Sequence, residues 1–464
     1  MFERTKSLIS KVVSKIFPNK NLENNIDVDI DISDEMTKAI ELWTQMYEDN
    51  PPWLEEEDLQ SLNISSSIAS ELARLVTIEM KSEVTGKKEG ESKIKSQRAS
   101  YLNDQYQKVI DKIRVNTEYA AAKGGIIFKP FVDGKDIAVD YIQQGEFYPV
   151  KFSSSGDLIA AIFPDTTIEK NKKYTRLEYH HLLNDGIYYI SNKCYNEAGK
   201  EIEITEVEAW KDIIPEVNLK NVEKPLFAYF KMPLANSIDS KSNLGVSVYS
   251  KAVNIMKEID KQYTKILWEY EGTELAIDAN IDMINNGELP KGKKRIFRSL
   301  DTEDENFYKL FNPDIRDEPL FNGLNKLLKR VEFNCGLAYG TLSDIELIEK
   351  TAEEIKASKQ RSYSTVVDIQ KALRVSLEQL LYAMNYLADN DKLGGKGEYE
   401  VSFEFDDSII IDSKSEQAIM LQEVAAGLIK PEKYLMERYG VTEDQAKDML
   451  PNMNNNKVPD DGIE

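Results

Sequence analysis

A chain of 464 residues is longer than one hydrophobic core usually supports, which predicts two or three structural units. Hydrophobic residues make up 41% and charged residues 30%, enough apolar material for packed cores, so a wholly disordered chain is excluded. With 81 Asp and Glu against 59 Lys and Arg, the formal charge of −22 is opposite to that of a surface that wraps DNA, though an acidic chain can surround DNA without gripping it.

The chain opens with MFERTKSLISKVVSKIFP, where Arg4, Lys6, Lys11 and Lys15 alternate with apolar residues at three- and four-residue steps. This spacing predicts a basic amphipathic helix over 1–20. Three roles fit it: docking to a protein partner, lying on a membrane surface, or packing on its own domain. Asp27, Asp29 and Asp31 begin like a calcium loop, but Ile32 stands where glycine is needed and Lys38 where the bidentate Glu belongs. Helices are predicted over 34–50, 64–84 and 97–122, the last with Tyr101, Tyr106, Val109, Ile113 and Tyr119 on one stripe.

From Gly124 the period changes to two. GIIFKPFVDGKDIAVDYI reads as strand, Asp133–Gly134 turn and strand. Further short strands are expected near 147–152, 158–163, 174–181, 186–194 and 200–208, in an antiparallel region reaching to about 230. A helix follows from about Val246 to Tyr270. Its inward positions are Tyr249, Val253, Met256, Ile259, Tyr263, Ile266 and Tyr270.

Residues 271–318 carry three glycines, the prolines Pro290 and Pro313, and the basic residues Lys291, Lys293, Lys294, Arg295 and Arg298. Helix returns over 320–337, a loop follows near 338–347, and a helical pattern runs over 348–390, about 60 Å long. So long a helix should run through or line a larger assembly. After Gly394–Gly395–Lys396–Gly397 come a strand over 398–412, a small helical unit over 413–450 and a tail over 451–464 that looks disordered.

Catalytic motifs are missing. His180 and His181, the only histidines, are adjacent in a strand and point to opposite faces. There is no HExxH, paired CxxC or GxSxG. GELPKGKK, residues 287–294, approaches a P-loop but ends in Lys294 where Ser or Thr must bind magnesium, and no apolar strand leads into it. The basic cluster there reads either as a contact patch for an acidic partner or as a solvated turn. Neither an enzymatic activity nor a cofactor nor a metal is expected. Cys194 and Cys335 are too few for a disulfide framework and suit a cytosolic origin, and no stretch approaches the ~18–20 apolar residues that cross a bilayer.

The order of these elements resembles that of portal proteins, the head–tail connectors of tailed bacteriophages. Residues 335–366, CGLAYGTLSDIELIEKTAEEIKASKQRSYSTV, are the most specific part. They are similar to the segment in portals of phages of Gram-positive hosts where a stem helix ends, a tunnel loop follows and a long helix opens with T-A-x-E-I, here Thr351, Ala352, Glu353, Glu354 and Ile355. The basic N-terminal helix and Pro51–Pro52–Trp53 resemble that family's opening.

The resemblance implies an α+β portal fold. It has an α/β wing (21–245 with the 393–412 strand), helical stem (246–270 and 319–338), small α/β clip (271–318), tunnel loop (339–350), very long helix (351–392) and small helical crown (413–450). It implies a homo-oligomeric ring, usually of twelve in that family, at one capsid vertex of the virion, assembled in the host cytoplasm. The implied partners are the major capsid protein and scaffold, the terminase large subunit, a head–tail adaptor and the double-stranded DNA passing through the channel, with no membrane. Ser343, Asp344, Glu346, Glu349 and Lys350 are then tunnel-loop candidates, and Lys291, Lys293, Lys294, Arg295 and Arg298 clip contacts for terminase or adaptor. The alternative is another phage structural protein, such as a scaffold or tail component.

Overall fold

A computed structural model describes residues 29–89, 92–93, 96–272, 276–280, 297–300, 308–311, 314–344, 352–405, 420–439 and 442–450. The N-terminal helix expected over 1–20 and the tail over 451–464 lie outside the described residues.

Ser33 starts helix α1 (Asp34–Tyr47), its hydroxyl accepting from the Met36 amide, with Asp34 and Glu35 favourably placed in the first turn. Met36, Ile40, Trp43 and Met46 are buried at helical spacing. A single turn, α2 (Pro52–Glu56), has proline at its first position, where no amide donor is missed. Helix α3 (Ile64–Thr77) buries Ile64, Ile68, Leu72 and Val76.

The helix expected over 64–84 therefore ends seven residues early, because Met80–Thr85 form strand β1, with Ser82 and Val84 buried. A two-stranded ribbon, β2 (Lys88–Glu89) and β3 (Ser92–Lys93), comes next. The single helix expected over 97–122 is two, α4 (Gln97–Ile110) and α5 (Ile113–Lys123), broken at Asp111–Lys112. Gly124 ends α5 at φ +99°, and a Cβ there would stand 2.6 Å from the Gly245 carbonyl oxygen, so glycine is required.

The β region forms two sheets. In the first, β4 (Gly125–Asp133) pairs antiparallel with β5 (Asp136–Gln143) and with β12 (Ala228–Lys231). In the second, β6 (Tyr148–Phe152), β7 (Leu158–Glu169), β8 (Lys172–Leu182), β9 (Ile187–Asn196) and β10 (Glu201–Ile202) run as an antiparallel meander, and β11 (Glu216–Lys220) also pairs with β9. The strand expected over 200–208 is mostly turn: after β10 the chain makes two 3-10 turns that seat Ile204, Val207 and Trp210 on Cys194.

Residues 246–252, expected to be helical, are instead a buried turned segment. Tyr249 has its hydroxyl on the Trp43 carbonyl, 2.9 Å away. Helix α6 begins at Val253 and runs to Gly272. A three-stranded sheet follows, with β13 (Ala276–Asn280) central between a parallel β14 (Phe297–Leu300) and an antiparallel β15 (Tyr308–Phe311). Helix α7 spans Asp317–Cys335, and α8 spans Ala352–Asn390, 39 residues or about 58 Å.

Val366, Ile369, Leu373, Leu377, Leu380 and Met384 line the buried face of α8, which packs on β4 and β12. Arg98 of α4, itself buried, clamps the far end of α8 by donating to Asp389 Oδ1 at 2.6 Å and to the Gly395 carbonyl at 2.7 Å. Strand β16 (Glu400–Phe405) returns to pair antiparallel with β1, Met80 opposite Phe405. Residues 406–464 form a separate unit. Residues 420–425 are helical there, followed by α9 (Pro431–Tyr439) and α10 (Glu443–Met449), the last begun by a Thr442–Gln445 capping box.

Candidate functional site

Helices α6 and α7 are laid side by side in opposite directions. Asn334 Nδ2 of α7 reaches the Lys251 carbonyl at 3.1 Å, Gln262 Nε2 the Leu320 carbonyl at 3.1 Å, and Arg316 holds Glu269 through Nε (3.0 Å) and a second nitrogen (2.7 Å). Those contacts tie both ends and the middle of the pair. The start of α6 is strapped by the segment after α1. Trp53 Nε1 donates to Asp260 Oδ2 at 2.9 Å, and the Leu62 amide to Oδ1 at 3.0 Å. Burial raises the Asp260 carboxyl pKa, and the bonds from Trp53 and Leu62 work against that rise.

The end of α7 is where the sequence has an oddity that structure explains. Glu332 sits among Val331 and Cys335 and is fully buried. Its Oε1 accepts the amides of Gly340 (3.1 Å), Leu342 (2.7 Å) and Ser343 (2.9 Å), and its Oε2 accepts the Ser343 hydroxyl (2.9 Å). Four donors on one carboxylate replace the water it has lost. Asn325 Oδ1 takes the next amide, that of Asp344, at 2.8 Å.

Gly336 ends α7 at φ +71°, and a Cβ there would collide with the Thr365 hydroxyl of α8. Arg361 of α8 lies 4.4 Å from the Phe333 ring and 5.3 Å from that of Tyr339. The turn from α7 is thus held from below by Glu332 and from the side by α8.

The predicted site residues divide between this region and the undescribed ones. Ser343 is buried with its hydroxyl on Glu332, whereas Asp344 is exposed. Glu346, Glu349 and Lys350 lie outside the described residues, as do Lys291, Lys293, Lys294 and Arg295. Arg298 falls in β14, its backbone opposite Asp278. Glu332 was not singled out by the sequence reading. Its signal was a lone carboxylate on the inward stripe of α7, four residues before a helix-ending glycine.

A second polar cluster, also missed, joins the two sheets. Lys129 on β4 pairs with Glu178 on β8 at 2.7 Å and with Asp140 at 3.4 Å. Arg176 lies 3.5 Å from Glu178 and 3.2 Å from Asp165. His180 bridges Glu178 Oε1 (2.7 Å) and the Tyr188 hydroxyl (2.9 Å). Burial opposes the Glu178 carboxylate, yet the bond from His180 and the charges of Lys129 and Arg176 hold its pKa well below the usual carboxylate range. Burial pushes the His180 imidazole down, and Lys129 and Arg176 add to that, so it stays neutral. His181 faces the other way, its Nδ1 3.0 Å from the Tyr179 hydroxyl.

Lys129 and Glu178 join the two sheets. Among the described residues no group of His, Cys, Asp and Glu is placed to hold a metal ion, and no helix is long and apolar enough to cross a membrane.

The family model described as "Phage portal protein, SPP1 Gp6-like" matches residues 61–456. No curated protein matches. Among solved structures, a chain of "Neck of native GTA particle computed with C12 symmetry" is similar over 93% of this chain and 98% of its own, with 9% identity and a TM-score of 0.42, a likeness too low to carry an argument.

Proposed function

The chain belongs to the SPP1 Gp6-like family of phage portal proteins, and from that premise we propose that it forms a ring of twelve at one capsid vertex. There it is the channel through which a terminase packages DNA and through which DNA leaves, and it is the docking platform for head–tail adaptors. The family is a structural one, in keeping with the missing P-loop serine or threonine after Lys293: nucleotide chemistry belongs to the motor.

One observation carries the reading. The family match takes in α6, the three-stranded sheet, α7, the turn pinned by Glu332 and the 39-residue α8 as one continuous stretch. On this reading α6 and α7 are the stem and 271–318 the clip. Residues 339–350 are the tunnel loop, the two sheets with α1–α5 and β16 the wing, and 413–450 the crown. The capsid protein and scaffold surround the ring, and the virion is its final location. A formal charge of −22 on each subunit gives the bore a wall that repels phosphate, so duplex slides without sticking. Ser343 shapes the tunnel loop's base, and Asp344, Glu346, Glu349 and Lys350 are its DNA-facing candidates.

Two charge experiments test the assignment. Replacing Glu346 and Glu349 by Gln together should slow or stall packaging into capsids while rings still assemble; packaging at the wild-type rate would remove both from the mechanism. Reversing Lys293, Lys294 and Arg295 to Glu should abolish adaptor binding with rings intact, and adaptor retained on such rings would move the docking surface elsewhere.

A further inference from the structure

We infer that Glu332 is a positioning residue for DNA translocation: its buried carboxylate fixes residues 337–344 in one shape, so that the turn leaving α7 meets the duplex at a set height. This rests on the channel reading above. A fully buried carboxylate is expensive unless its lone pairs are taken up, and among the described residues the bonds it accepts come from residues 340–343. The contacts that tie α6 to α7 are made by Asn334, Gln262 and Arg316, and among the described residues the bonds to Glu332 come from the turn.

Three amides, those of Gly340, Leu342 and Ser343, converging on one oxygen also define the backbone path more tightly than apolar packing can, because hydrogen bonds are directional. Asn325 extends the same device to Asp344, the last residue before the undescribed stretch. A passing duplex pushes on side chains that this base carries, and a base with only apolar support would yield.

The chemistry separates the variants. In Glu332→Gln the carbonyl oxygen still accepts the three amides, and the amide nitrogen can donate to the Ser343 hydroxyl, so the shape survives with weaker bonds. In Glu332→Leu both acceptor oxygens vanish at similar volume, and with them all four bonds.

The test uses the full-length protein, with two readouts. Hydrogen exchange at the amides of Gly340, Leu342 and Ser343 should accelerate by about tenfold or more in Glu332→Leu and by about threefold or less in Glu332→Gln, with amides of Leu373 and Leu380 in α8 unchanged. The rate of packaging into capsids should fall in Glu332→Leu and largely recover in Glu332→Gln, rings being intact by electron microscopy in both. Should Glu332→Leu fail to fold, Ser343→Ala removes a single donor and should show the same pattern at lower amplitude.

Unchanged exchange at the three amides, or acceleration spread evenly over α7 and α8, overturns the anchor. Local acceleration with wild-type packaging overturns the positioning role. Wild-type protein that neither forms rings nor supports packaging defeats the channel reading instead, and the exchange readout still decides the anchor.

Discussion

Glu178 carries its charge in a place with almost no water because Lys129 and Arg176 stand within ion-pair distance and His180 hydrogen-bonds its second oxygen. That arrangement makes the fold's stability acid-sensitive in two stages. The folded pKa of His180 lies below the 6.5 of a free imidazole, so as pH falls the unfolded chain takes up that proton first. The contribution is complete above about pH 6.5 and declines below it. His181, pushed down by burial and by Lys151, acts in the same direction. The folded pKa of Glu178 lies below the 4.5 of a free carboxyl, so its contribution is complete above that pH and is lost as pH falls through the folded value. Melting temperature should therefore start to drop near pH 6.5 and drop more steeply below about 4.5. In His180→Gln the first decline should shrink to what His181 supplies, and an unaltered profile would show that the imidazole is not held neutral by its surroundings.

Among the elements, α8 bears most of the weight. Leu373, Leu377 and Leu380 are wholly buried along one face, whereas Val375, between them in sequence, is largely exposed. Leu373→Ala should cost about 3 kcal/mol in urea denaturation, and Val375→Ala within about 0.5 kcal/mol of nothing. Equal losses at the two positions would mean that α8 is covered on both faces.

The periodicity that predicts α8 is in the sequence because a long helix repeats its own signal every turn. The β4–β5 hairpin is legible for a similar reason: both strands and the tight turn are contiguous, and their register, Asp133 opposite Asp136, follows from the turn. Strand β1 is different. Its partner β16 lies about 320 residues away, so nothing local distinguishes MKSEVT from the tail of the preceding helix. The break between α4 and α5 is invisible for the converse reason. Asp111 and Lys112 are acceptable in a helix, and the apolar stripe runs through them, yet packing turns the chain there. Buried polar groups are least legible of all, since Lys129 finds Glu178 only once two separate sheets have met. The site divides along the same line. The stretch 335–366 marks the α7–α8 turn by its residue pattern, but Glu332, which holds that turn, looks like one more carboxylate in an acidic chain.

For the whole molecule the account is one of division of labour. Residues up to Phe405 form one unit in which two sheets and a helical layer are braced by α8, and from it α6 and α7 extend as a tied antiparallel pair. On the proposed ring, the 39-residue α8 and the turn held by Glu332 would let each copy present the same loop at the same height. The acidic balance fits the proposed ring, since subunits of formal charge −22 would attract passing phosphate only weakly.

The measurement that bears most directly on this account is native mass spectrometry of the full-length protein co-expressed with scaffold and capsid protein, read together with electron microscopy of the same sample. The account predicts closed rings with a central bore at about twelve times the subunit mass of 53.0 kDa. A stable monomer, or an open filament without a defined subunit number, would contradict it.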